Sequence, residues 1–446
     1  MVNIYNFLKS VIQDIKKESN KNSSFIFILV LLVTIPFSLA VNNIALILLI
    51  LSVLINFNKT KFNINLLFFF PIVLFLWMSV SYFWSIDKHE TLKAIPKGIT
   101  LLLLPLVFMK VQISKTEKEK LLKYYSFSMV LVVVFFLLRA IIRYLISQDT
   151  RSFFYHGENN DDYGLVPNLL NAIHVSVFVA LAFFYFFTKE IKSKIDIALS
   201  LLLAGFIILL SSKNIILVVV VLILVYFFYY SKASNKMRLR NLIIFGGIIM
   251  IGLSFGKIKQ RFQEEFRNNA PNSLSPNVSA TFDNGVHNVS IYEAWNNQKF
   301  SPNDYFPGTA LRVYQARMFL ELLKEENIFI HGFGLNASEI KLLEKEKKYN
   351  LYHGYGRFNF HNQYIQNFAE IGVVGFLLLV IMLFQTLKKA INNKDFMHFS
   401  FAVLMISLFL TESFLCRQRG VVFFTLLFCV FNSISPKESI NIETKL

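Results

Sequence analysis

The chain has 446 residues, 55% of them hydrophobic, with 49 phenylalanines and a formal net charge of +17. Soluble chains average roughly 45–50% apolar residues and lack repeated twenty-residue apolar runs, so the composition excludes a set of soluble domains and describes an integral membrane protein. Most of the lysine lies in short loops between apolar runs, where it reads as topogenic charge and attraction to anionic lipid headgroups, and nucleic acid is excluded as a partner.

A charged segment of about two dozen residues precedes the first apolar run, with no small-residue cleavage site, so that run is expected to be a retained span. Apolar runs then predict spans near 25–38, 40–56, 66–85, 95–110, 122–147, 171–188, 195–211, 214–231, 241–256, 372–387, 396–414 and 420–434, about twelve helices in all. The loops at 58–63, 110–123, 189–196, 231–240 and 387–395 are basic and alternate with neutral or acidic ones. The positive-inside bias therefore predicts cytoplasmic termini. The two cysteines, Cys416 and Cys429, suggest neither a disulfide framework nor a metal site.

Three units follow: membrane helices 1–9 over 1–256, a loop of 257–371, and the last three helices with a tail over 372–446. The long loop is expected outside. It passes through an Asn/Ser/Pro-rich stretch and regains helical periodicity at "ALRVYQARMFLELLKEE". Long loops with their own periodicity are usually functional.

Polar groups at predicted span ends need a reason. In "SSKN" (211–214) a hairpin turn places Lys213 at the outer face, where positive-inside logic would not put a cation. Arg312 lies near the start of an amphipathic helix whose apolar stripe holds Leu311, Met318, Leu322 and Leu323, with Arg317 on another face. That helix ends before "HGFG", where Gly332 and Gly334 mark a tight turn. In "FHNQYIQNFAEIGVVGF" (360–376) a polar, amide-rich helix runs straight into an apolar one. Asn359 reads as its N-cap, which places His361 in the first turn. A helix N-terminus disfavours imidazolium, and a neutral imidazole suits a general base. Two cations and a base suit a reaction on a phosphorylated lipid, the cations neutralising a diphosphate and the histidine taking a proton from a hydroxyl.

The stretch "FHNQYIQNFAEIGVVGF", with its Glu-x-Gly-x-x-Gly ending, resembles the His-Asn motif of the O-antigen ligase and O-antigen polymerase superfamily; the Arg312 helix and the "SSKN" hairpin follow that family's order of elements. The resemblance implies an all-α, GT-C-like membrane protein of about twelve helices, with one large periplasmic loop and an active site facing the periplasm of a bacterial inner membrane. It implies an inverting, metal-independent glycosyltransferase without a cofactor, moving a glycan from undecaprenyl diphosphate to a lipid A core, a growing glycan or a protein. On it, His361 matches the base and Arg312 the diphosphate-binding arginine. Lys213 stands where the family usually has arginine, and a lysine acts as a point charge instead of a bidentate clamp. Ala316 stands where a tryptophan is often seen, so Arg317 stays open as the phosphate-binding arginine. His174, Asn362, Glu370, Arg417 and Arg419 are candidates for substrate contact or support. A polymerase of the same superfamily and a transporter of lipid-linked glycans are the competing readings.

Overall fold

The structure is a computed structural model that describes residues 2–57, 62–155, 164–232 and 286–433, with isolated positions between 234 and 270. The predicted span at 241–256 and the opening of the long loop lie outside the described residues, apart from a few single positions.

Helices occupy every other predicted apolar run. They are α1 (Val2–Lys21), α2 (Phe25–Val33), α3 (Leu39–Ile55), α4 (Phe69–Val80), α5 (Lys88–Ala94), α6 (Thr100–Lys110), α7 (Lys115–Ser147), α8 (Ala172–Phe187), α9 (Lys194–Leu209) and α10 (Lys213–Val225) in the first part of the chain. After the long loop come α11 (Ile291–Asn296), α12 (Gly308–Glu325), α13 (Glu339–Lys348), α14 (Gln363–Asn392), α15 (Phe396–Phe409) and α16 (Gln418–Asn432). Capping explains several of the starts. Ser114 and Glu117 form a reciprocal capping box before α7, as do Ser193 and Asp196 before α9.

Five continuous helical stretches are long and apolar enough to cross a membrane alone: Leu66–Phe83, Lys88–Lys110, Lys115–Ser147, Lys213–Tyr230 and Gln363–Asn392. A hydrocarbon core of about 30 Å needs roughly twenty helical residues. α3, α8, α15 and α16 are apolar but shorter than that. Among the described residues, the eleven other runs thus appear as helices of unequal reach.

The side-chain contacts sort the helix ends into two groups. At one, Lys118 pairs with Asp395, Lys120 with Asp14 and Glu18, and Lys189 with Asp196, while Lys389 donates to the Asn432 carbonyl. At the other, the Trp84 indole donates to the His331 carbonyl, Asn214 bonds Thr411, and Arg419 donates to the carbonyls of Phe37 and Leu169. Of the basic loops, 110–123 and 387–395 meet through Lys118 and Asp395.

Between α10 and α14 the chain builds a second core from Phe300, Phe306, Tyr314, Met318, Phe319, Tyr349 and Phe360, separate from the bundle's core. Its only regular β-structure among the described residues is a set of very short strands, β1 (Asn269–Ala270), β2 (Val286–Asn288) and β3 (Asp304–Tyr305), in the order β1-β2-β3. β2 pairs antiparallel with β1 and parallel with β3. The buried face of α12 comprises Ala310, Tyr314, Met318 and Leu322; Leu311 and Leu323 are only half-buried, so the stripe is rotated from the expected one.

This outer unit is joined to the bundle through backbone. α14 breaks at Ile371 and Gly372, where φ is −129° and +67°. The extended segment 329–335 lies against the break: Val373 N donates to Phe329 O, Phe333 N to Ala369 O and Gly334 N to Glu370 O. Trp77 caps the freed Ile371 carbonyl at 2.8 Å, and Ser81 and Thr91 hold Leu335 from the other side. The "HGFG" turn is thus a docking strip in which the amides of Gly332, Phe333 and Gly334 are already bonded.

Candidate active site

His361 does not sit in the first turn of α14. The N-cap is Asn362, whose side-chain oxygen accepts from the amides of Tyr364 and Ile365. Asn359 instead accepts from the His361 amide at 3.0 Å and closes a loop turn. His361 stands just outside the helix with φ +44°, a left-handed conformation that costs a non-glycine residue about 1 kcal/mol or more.

What orders this region is the turn Leu410–Ser413 between α15 and α16. Asn362 Nδ2 donates to the Leu410 carbonyl at 3.2 Å. Arg312 Nε donates to the Thr411 carbonyl at 2.9 Å, and Asn214 Nδ2 donates to the Thr411 hydroxyl at 2.8 Å. His361 Nδ1 lies 3.7 Å from Glu412 Oε2, and Ser413 donates to Gln366. The amides that looked out of place against an apolar run are therefore the clamp on this turn: Gln363 accepts from the Leu415 amide, and Gln366 from the Phe360 amide. The Arg312 helix, the His361 loop and the turn that opens with Lys213 all meet here.

Glu412 was not among the residues singled out from sequence, yet it is the acid at the centre. Its burial alone would raise the carboxyl; His361, His174 and Arg312 outweigh that and lower it to about 2. The carboxylate faces Nδ1, which has no hydrogen-bond partner among the described residues. At 3.7 Å the contact is an ion-pair distance, longer than a hydrogen bond. The sequence signal was available: an acid, in "TES", inside the apolar run predicted at 396–414, which the structure ends at Phe409.

The other candidates separate. Arg312 gives one more bond, from Nη1 to the Gly308 carbonyl, which leaves Nη2 for a ligand. Arg317 is buried, paired with Glu321 at 2.9 Å, donating to the Asn297 carbonyl and lying over the Tyr349 ring. It belongs to the outer unit's core. Replacing Arg317 with Ala should strip that pair and lower stability by about 3 kcal/mol, read as earlier loss of monodisperse protein on heating; an unshifted curve would return Arg317 to the list of ligand-binding residues. Glu370 is buried against Gln366 and Ser338, which is a supporting position. His174 is buried beside Phe414, with ring centroids 4.4 Å apart, and its Nε2 has no hydrogen-bond partner. Arg419 bridges two loops, as described above. Arg417 is exposed, and its guanidinium makes no bond or ion pair among the described residues.

A cavity beside α14 is lined by Lys97, Asn336, Gln363, Asn367, Glu370 and Cys416. Among the described residues no group of three or more His, Cys, Asp or Glu side chains gathers as a metal cage would.

Residues 198–380 match the family model described as O-antigen ligase. Over this stretch the chain is similar to the O-antigen ligase family. It holds Lys213, Arg312, His361, Asn362 and Glu370, while His174, Glu412, Arg417 and Arg419 lie outside the matched stretch. No curated protein matches the chain.

Proposed function

We propose that the protein is an inner-membrane glycosyltransferase of the O-antigen ligase type, moving a glycan from undecaprenyl diphosphate to an acceptor hydroxyl at the periplasmic face, with both termini cytoplasmic. The observation that carries this reading is the convergence of an arginine, a histidine and the lysine-bearing turn on Leu410–Ser413, within and beside the stretch similar to the O-antigen ligase family.

The chemistry follows from the contacts. In the neutral imidazole a proton on Nδ1, the nitrogen that faces Glu412 at 3.7 Å, leaves the Nε2 lone pair for the acceptor. The acceptor oxygen attacks the anomeric carbon as its proton passes to Nε2. The bond from that carbon to the diphosphate oxygen breaks, and the leaving lipid diphosphate takes the electron pair. A single displacement of this kind inverts the anomeric centre. Arg312 and Lys213 offset the charge that grows on the leaving group, in a setting where water screens it poorly. The acceptor is a lipid A core, a growing glycan or a protein; each presents a hydroxyl to the same base.

Polymerisation by the same chemistry is the second reading. A transporter is less consistent, because it would set its polar groups near the bilayer midplane, whereas these cluster at one end. A glycan blot of a deletion strain separates the readings. Loss of long surface glycan with lipid-linked polymer accumulating indicates a ligase; single repeat units retained on the surface indicate a polymerase. An unchanged blot would remove both.

Lys213→Ala should raise the donor KM by about tenfold or more, the worth of one charge-assisted contact. Lys213→Arg should keep or improve it. Equal donor KM in wild type and the Ala variant would take Lys213 out of the site.

A further inference from the structure

We propose that Phe358 is a stacking platform for a saccharide ring of the acceptor, set beside His361. The inference rests on the functional reading above and specifies which part of the substrate the outer unit touches.

Phe358 is 45% exposed, in a segment whose neighbours His353 and Arg357 are exposed as well. A single exposed aromatic is ordinary on a surface; what distinguishes Phe358 is the ring beside it. Its ring lies 5.9 Å from the His361 ring, with the planes inclined at 53°. On its other side Phe358 meets the edge of Tyr355 at 5.9 Å, and Tyr355 is fixed against Phe306, at 5.2 Å and through a bond from the Phe306 amide to its hydroxyl. The platform is therefore held by the core of the outer unit, not free to swing.

The imidazole and the phenyl ring form the two walls of a corner. An acceptor hydroxyl bonded to Nε2 at about 2.8 Å puts the centre of its own ring roughly 5 Å from the imidazole. The Phe358 ring, 5.9 Å from the imidazole, is near enough to pack against that sugar ring. A pyranose presents C–H groups of slight positive charge on its faces, and the face of a phenyl ring is the negative end of its quadrupole. The occupant is the acceptor sugar and not the donor's, because the base serves the acceptor while Arg312 and the Lys213 turn take the diphosphate.

The test uses the purified full-length protein in lipid nanodiscs with a lipid-linked glycan donor and a saccharide acceptor. Phe358→Ala should raise the acceptor KM up to about tenfold, the size of one aromatic contact, with the donor KM unchanged. Phe358→Trp should keep the wild-type value and Phe358→Leu should not. An unchanged acceptor KM in the Ala variant, rescue by Leu as complete as by Trp (a lipid contact), or a rise in donor KM alone overturns the proposal. A second readout needs no turnover. With His361 in place and no donor present, Phe358→Trp should show fluorescence quenching by acceptor alone, over and above wild-type protein; no added quenching also overturns it. Wild-type protein that transfers no glycan would instead bring down the functional reading, and the platform with it.

Discussion

Replacing His361 with Ala should cut glycan transfer by about 10²–10⁴-fold, the usual contribution of a positioned general base, while the protein still inserts and purifies at wild-type yield. The side chain is three-quarters buried, yet its loss should not unfold the turn, because the clamp on Leu410–Ser413 is made by Asn362, Arg312, Asn214 and Ser413. The left-handed backbone at His361 even predicts that His361→Gly folds as well or better. Glu412→Gln in the same assay separates base from scaffold. It keeps the shape of the side chain but removes the negative charge facing the imidazolium that forms when the base takes its proton. Activity should fall, by less than in the His361 variant. The carboxyl is ionised above about pH 2 in the folded protein, against an ordinary value of 4.5, so any stability it confers is complete above that ordinary value and is lost as pH falls towards 2. The charge is therefore in place throughout the neutral range. Transfer by His361→Ala at near wild-type rate would end the base assignment.

The sequence made the helices legible and left the junctions between them hidden. Apolar runs such as 171–188 and 396–414 reappear within a few residues as α8 and α15, because saturated apolar stretches have few other ways to satisfy their backbone. Cap assignment was harder. Asn359 and Asn362 are three residues apart, and both side chains accept a backbone amide; only the turn at Leu410 decides which of them opens the helix. The approach of Arg312 to Thr411 spans 99 positions, and that of His361 to Glu412 spans 51, so no local pattern reports either. Arg317 is a different case. Its partner Glu321 is one helical turn away, an i,i+4 spacing that a sequence reading can use, and it marks the side chain as structural. Phe358 left no local sign at all, since a lone aromatic in a loop is ordinary until its neighbour is known to be a base.

Gly372→Ala should be the most damaging small substitution in the chain. The residue has φ +67° and ψ −171°, a region that is essentially reserved for glycine. A methyl group there would also sit 2.0 Å from the Ile330 carbonyl oxygen, which is backbone and cannot turn aside. Conformation and clash together should cost about 3 kcal/mol or more. Relief would require segment 329–335 to lift away, breaking its bonds to Ala369, Glu370 and Val373 and loosening the seat of the outer unit on α4 and α14. The His361 loop would move with it, so transfer and folded yield should fall together, unlike the His361 variant in which only transfer falls. Gly205→Ala, inside α9 with nothing near its added methyl, is the control and should be neutral or slightly stabilising, by about 1 kcal/mol at most. Heating both variants in detergent and following the monodisperse fraction distinguishes them. If Gly372→Ala survives as long as Gly205→Ala, the backbone splice does not hold the outer unit to the bundle, and the geometry of the whole site must be set from within the membrane helices instead.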